Sequence, residues 1–179
     1  MQQLKGSKTE KNLWSAFSGE AMARSRYHFY AEVARREGYE QLGDVFDITA
    51  SNEKAHAKLW LEQLDGIGTT EENLVAAAGG EKYEWSEMYK QFASDAKEEG
   101  FTKFAKMFEM VASVEKDHEE RYNTLIENLK KGMVFKKDNM VMWICRNCGY
   151  VHVAQEAPQM CPLCQKPRSY FEIRDKIIK

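Results

Sequence analysis

No proline occurs before Pro158 and no cysteine before Cys145 in this chain of 179 residues. The first absence leaves long helices uninterrupted, and the second excludes a disulfide framework for the same stretch. Long apolar runs are missing too: none approaches the ~18 residues of a membrane span. Met1 to Asn12 is polar and mixed in charge, without the apolar stretch of a secretion signal. A cytoplasmic, soluble protein is expected. Lys and Arg are dispersed and the net charge is -2, so no basic patch points to nucleic acid or an anionic membrane surface as partner.

What is present begins with a shift in composition. All four cysteines and all three prolines fall in the C-terminal tail, whereas the 43% hydrophobic content overall suffices for a core. The shift predicts two domains, residues 1–138 and 139–179, joined through a linker at Lys131 to Asn139.

The first part is organised around Glu53-Lys54-Ala55-His56. Residues three apart on a helix present carboxylate and imidazole to one point, which is a metal-ligand spacing. The same spacing returns at Glu115-Lys116-Asp117-His118, both partners displaced by 62 residues. That interval also superimposes Tyr27 on Tyr89, Ala31 on Ala93, Ala34 on Ala96, Glu37-Gly38 on Glu99-Gly100 and Phe46 on Phe108. The chain therefore contains an internal duplication, each copy a helix, a break at glycine and a second helix.

Periodicity places the first helix at about Thr9 to Arg36 and the second at about Glu40 to Leu64. A third is expected over about Glu81 to Glu99 and a fourth over about Phe101 to Leu129. Gly66 to Gly80 reads as a crossover able to run the length of a bundle, with a short helix near Asn73 to Ala78. Glu20, Glu53, His56, Glu81, Glu84, Glu115 and His118 fall on the apolar, inward faces. Five carboxylates converging with two imidazoles would repel one another strongly, so cations are expected among them. Oxygen ligands with one histidine per metal suit iron or manganese, and two pseudo-symmetric halves suggest two metals, with Glu53 and Glu115 as bridges. The repeat partner of Glu20 is Lys82, whereas the acids stand at Glu81 and Glu84. The second half thus supplies a surplus carboxylate, which could exchange with His56 as the metal charge changes.

In the tail, Cys145-Arg-Asn-Cys148 and Cys161-Pro-Leu-Cys164 form two Cys-x-x-Cys pairs, a strong signal for one tetrahedral ion. Zinc and iron both fit. Tyr27 and Tyr89, symmetric in the repeat, read as core tyrosines that could orient a carboxylate or donate a hydrogen bond near bound substrate. His28 and His152 read as surface groups, and Met88, Met107 and Met110 as core filler.

Together, Glu20, Glu53-x-x-His56, Gly80-Glu81-Lys82-Tyr83-Glu84-Trp85, Glu115-x-x-His118 and the two cysteine pairs resemble the rubrerythrin family over nearly the whole chain. The resemblance implies a mainly α fold, a ferritin-like four-helix bundle followed by a small rubredoxin-like metal-binding β/loop domain. It implies two irons held by Glu20, Glu53, His56, Glu81, Glu84, Glu115 and His118, and one iron on Cys145, Cys148, Cys161 and Cys164. It further implies a homodimer or larger assembly that reduces hydrogen peroxide to water in oxidative-stress defence, with electrons from NAD(P)H through a reductase or rubredoxin. Gln165 departs from the small residue common after the second knuckle. The competing readings are a ferroxidase or iron-handling protein and a non-enzymatic module with a structural zinc ribbon.

Overall fold

The computed structural model describes residues 3–174. It divides into two compact units, Met1–Thr69 and Thr70–Lys179.

The first unit is a helical hairpin of α1 (Lys8–Arg36) and α2 (Glu40–Gln63). Ser7 starts α1 by accepting the Glu10 backbone N–H at 3.0 Å. Gly38, at φ +89, ends it: the Tyr39 N–H reaches back to the Ala34 carbonyl at 2.9 Å, a closure that requires the left-handed conformation. Only small residues are fully covered here, Ala31, Ala34, Gly43, Ala50 and Ala57, which lets the two helix backbones approach closely. Arg35 braces the turn through Asp44 and Asp47 at 2.8 and 2.7 Å.

The second unit repeats this hairpin and adds a small sheet. Its first arm is one 29-residue path, α3 (Thr70–Tyr83), a π-helical turn (Glu84–Met88) and α4 (Tyr89–Glu98), matching the 29 residues of α1. Gly100, at φ +83, turns it into α5 (Thr102–Lys130). The duplication is geometric as well as textual. Tyr27 and Tyr30 meet Phe46 at 6.2 and 5.7 Å, and their counterparts Tyr89 and Phe92 meet Phe108 at 6.0 and 5.6 Å. The ion pair Lys97–Glu109 likewise stands where Arg35–Asp47 stands in the first copy.

The π-helical turn resolves the asymmetry of the repeat. Upstream of it the interval is 61, aligning Thr9 with Thr70, Asn12 with Asn73, Leu13 with Leu74, Gly19 with Gly80 and Glu20 with Glu81. Downstream, from Tyr27 and Tyr89 on, it is 62. One extra residue has been absorbed as a widened turn, which keeps both ends of the helix on their original faces. Glu81 is therefore the counterpart of Glu20. The expected crossover at Gly66 to Gly80 is corrected accordingly: helix begins at Thr70, and only residues 64–69 connect the hairpins.

The tail forms a three-stranded antiparallel sheet, order β2-β1-β3, from β1 (Lys136–Cys145), β2 (Val151–Glu156) and β3 (Phe171–Ile173). β1 starts inside the expected linker. Trp143, Cys145, Ala157, Cys161 and Phe171 make its core, and the Trp143 indole N–H donates to the Ala154 carbonyl at 3.1 Å.

Two expectations about the helical core are corrected. Among the described residues no charged side chain is fully buried, and Leu42, Phe101, Phe104, Met107 and Met110 are exposed. Each helix shows the right apolar face, but a hairpin alone covers only the alanine seam. No described helix is long and apolar enough to cross a membrane.

Candidate metal centres

Each hairpin gathers one carboxylate from its first arm and a Glu-x-x-His pair from its second. In the first unit Glu20, Glu53 and His56 offer ligand atoms within 4.8 Å of one another; in the second, Glu81, Glu115 and His118 do the same. The two groups agree in detail. His56 Nδ1 lies 2.8 Å from Glu53 Oε2 and 4.0 Å from Glu20 Oε1, and His118 Nδ1 lies 2.7 Å from Glu115 Oε2 and 3.7 Å from Glu81 Oε1. Glu53 and Glu115 are the most enclosed members, 17% and 15% exposed.

Glu84 stands apart from the second cluster, at the first position of the π-helical turn. Its field nevertheless reaches Tyr89, whose hydroxyl is pushed above its ordinary pKa by burial and by the charges of Glu84, Glu115 and Glu81. Burial, with the Glu115 charge and hydrogen bond, likewise holds the Glu81 carboxyl above the usual range. Crowded acids resisting ionisation are what a cation would relieve. Tyr27 lies half-buried against Tyr30 and Phe46 in the first unit. His28 Nδ1 donates to the Asp47 carboxylate at 2.9 Å on the surface, outside both clusters.

The four cysteines form the third centre. Sγ of Cys145 and Cys164, and of Cys148 and Cys161, are 3.7 Å apart. That is far beyond a disulfide and close to the ~3.8 Å edge of a tetrahedron with metal–sulfur bonds of ~2.3 Å. Both knuckles are built alike. Gly149 and Gln165 donate their backbone N–H to the Cys145 and Cys161 carbonyls at 2.8 and 2.9 Å, and both sit at positive φ, +75 and +60. Gln165 thus holds a left-handed position without being glycine.

Backbone N–H groups and neighbouring thiols set the sulfurs apart. The Lys166 N–H, opposed by burial and aided by hydrogen bonds from Cys148, Asn147 and Cys161, draws Cys164 down to about 6. At Cys148 the Tyr150 N–H favours the thiolate, but burial and the sulfurs of Cys164, Cys161 and Cys145 outweigh it, and the thiol is pushed up to about 12. In metal-free protein at about pH 7.5, iodoacetamide should therefore label Cys164 well before Cys148, because the thiolate is the nucleophile. The Cys164 lead should vanish as the pH falls through about 6. Peptide mapping showing equal rates at neutral pH would refute this ordering.

Comparison with known proteins follows the same division. Residues 11–126 match the rubrerythrin family model and residues 143–172 the rubrerythrin rubredoxin-like domain. The rubrerythrin of Porphyromonas gingivalis is 48% identical over 94% of this chain and 91% of its own length. That of Nitratidesulfovibrio vulgaris is 41% identical over 97% of both. A solved structure of nigerythrin in a fully reduced, all-ferrous state aligns with 94% of this chain and 87% of that one, at 31% identity and a TM-score of 0.36.

Proposed function

The chain belongs to the rubrerythrin family of di-iron oxidoreductases, and on that premise we propose that it is a peroxidase reducing hydrogen peroxide to water in cytoplasmic oxidative-stress defence. Its carboxylate–histidine clusters and four-cysteine centre fit two irons and one Fe(Cys)4 iron. The observation that carries the reading is the presence, in one chain, of two matched Glu/Glu/His clusters and a four-sulfur site. Storage of iron alone needs no such one-electron centre.

In this reading residues 1–138 hold the iron pair and residues 139–179 the electron-entry iron. Glu20, Glu53 and His56, with Glu81, Glu84, Glu115 and His118, bind the pair; Cys145, Cys148, Cys161 and Cys164 bind the single iron. Bound iron would supply the two electrons that peroxide takes up, and iron on the four cysteines would serve to pass in their replacements from NAD(P)H by way of a reductase or rubredoxin. The protein's own part is placement and proton supply, for peroxide takes up two electrons and two protons as its O–O bond breaks into two waters. Tyr89 retains its proton because burial and the surrounding carboxylates disfavour phenolate, so its hydroxyl stays a hydrogen-bond donor to an oxygen held beside Glu81 and Glu115. Tyr27, its counterpart in the repeat, offers its hydroxyl as a hydrogen-bond donor in the first copy. The 2.8 and 2.7 Å contacts put a carboxylate oxygen of Glu53 and of Glu115 beside the Nδ1 of its histidine, where one ion would meet both.

Iron-loaded protein supplied with NADH, a reductase and peroxide should consume one NADH per peroxide without releasing oxygen. Oxygen release, or accumulation of iron beyond these centres with no NADH consumed, would overturn the reading in favour of a catalase or a ferroxidase.

A further inference from the structure

Between Glu81 and Tyr89 the second copy carries one residue more than the first, absorbed in the π-helical turn that begins at Glu84. An inserted residue can be absorbed at any turn of a helix, so its place needs a cause. Trp85, the residue after Glu84, supplies one. Its half-buried indole N–H donates to Glu119 Oε2 on α5 at 2.6 Å, a short bond made stronger by the charge of its acceptor. The other oxygen of that carboxylate accepts from the Asn123 amide at 3.4 Å. The Lys90 and Lys116 ammonium groups stand 5.4 and 5.8 Å from the centre of the indole ring, within range of a cation–π attraction.

The first copy offers a comparison within the same chain. There the arm is unbroken α-helix over Lys8–Arg36. Ala57, buried in the alanine seam, stands where Glu119 stands in the second copy. Trp85 corresponds to Ala23 or Arg24, as the interval is taken as 62 or 61. Indole and carboxylate therefore occur together in the copy that has the π-helical turn, and the copy without the turn has neither at these positions.

Sequence adjacency carries the contact to the metal ligands. Trp85 follows Glu84 and Glu119 follows His118, so one hydrogen bond ties the neighbour of one ligand to the neighbour of another. Successive side chains leave a helix at a fixed angle, so anchoring Trp85 sets the direction in which Glu84 leaves the turn. The Glu84 carbonyl accepts the Tyr89 backbone N–H across the wide turn, which joins Tyr89 to the same unit.

From this we infer that Trp85 and Glu119 are positioning residues: their hydrogen bond holds the π-helical turn against α5 and so fixes where Glu84 presents its carboxylate. The inference rests on the proposed role of Glu84 at the iron pair and adds the contact that places it. Neither residue is asked to bind metal.

Hydrogen exchange on metal-free, full-length protein tests the brace directly. In Trp85→Phe an aromatic ring remains and the indole N–H is lost. Backbone amides of residues 84–89 should then exchange roughly tenfold faster or more, as loss of a hydrogen bond to a charged group implies. Amides of α1 and α2 should exchange as before. Glu119→Ala should have the same effect, whereas Glu119→Gln should restore much of the protection, because its amide oxygen still accepts the indole N–H. Unchanged exchange over residues 84–89 in either Trp85→Phe or Glu119→Ala overturns the brace.

Iron-loaded protein then tests whether the brace acts through Glu84. Trp85→Phe should keep its iron and shift the midpoint potential and visible spectrum of the pair in the same direction as Glu84→Ala. Added to Glu84→Ala, it should produce no further shift, because the carboxylate it positions is gone. A wild-type potential in Trp85→Phe, or a full additional shift in the double variant, overturns the positioning role. Failure of the iron reading itself is distinguishable. It appears as unsubstituted protein that takes up no iron pair, or as Glu84→Ala that leaves the pair unchanged, while the exchange arm still decides whether the brace exists.

Discussion

Replacing Cys161 by serine should abolish peroxide turnover driven by NADH and a reductase, while leaving the iron pair of the helical part in place. Cys161 is fully buried in the core of the small sheet, 3.7 Å from Cys148, and it is one of four sulfurs that close the tetrahedron. A serine oxygen is a harder and less polarisable donor, so the remaining three thiolates hold iron weakly and its characteristic visible absorption should disappear. The residues of the two Glu/Glu/His clusters all lie on helices before Lys130, and none depends on Cys161. Chemically reduced variant protein should thus still react once with stoichiometric peroxide at nearly the wild-type rate. Rapid mixing measures that single event, and NADH oxidation measures the sustained one. Undiminished NADH-driven turnover in the variant would move the electron entry point elsewhere and leave the cysteines with a purely structural ion.

The second large effect is expected at Glu53. In the proposed role it bridges both metals, and it is the most enclosed member of its cluster, in contact with His56 at 2.8 Å. Glu53→Ala would remove a ligand from both metals and leave the charge of the pair less compensated. Iron in the helical part should fall to a small fraction of wild type, and the midpoint of thermal unfolding should fall with it. Metal present at 100 times its dissociation constant stabilises the folded state by about 2.7 kcal/mol, and that contribution is what the variant forfeits. Glu84→Ala is the informative contrast. Glu84 stands outside the three-residue cluster, at the start of the π-helical turn, so its loss should spare metal content and alter the redox behaviour of the pair. Equal and mild losses of iron in both variants would contradict the roles assigned to these two carboxylates.

Much of the centre could be read from sequence because its spacings are local. Carboxylate and imidazole three apart on a helix, or two thiols three apart in a knuckle, share a point in space whatever surrounds them. The duplication then supplied the second cluster. Glu81 was harder to place. A single inserted residue between Glu81 and Tyr89 changes the repeat interval from 61 to 62, so a comparison at one fixed interval stops aligning upstream of Tyr89. The matches of Thr9, Asn12, Leu13 and Gly19 with Thr70, Asn73, Leu74 and Gly80 were legible at the shorter interval. They would have moved the start of the third helical arm from Glu81 to Thr70.

Sequence alone determined the helical class, the hairpin breaks at Gly38 and Gly100, the two Glu-x-x-His pairs and the two Cys-x-x-Cys pairs, because each depends on backbone preference or on neighbours a few residues away. Tertiary structure decided what depends on distance through space. It showed that the inserted residue is absorbed as a π-helical turn, which no periodicity distinguishes from a surplus ligand. It separated Cys164 from Cys148 through the contacts among the four sulfurs, which favour the thiolate at Cys164 and oppose it at Cys148 although each receives a backbone N–H. It also left Met107 and Met110 exposed although they lie on apolar helix edges. Periodicity specifies which side of a helix avoids water, whereas the surface that covers that side is set by chain path and partner.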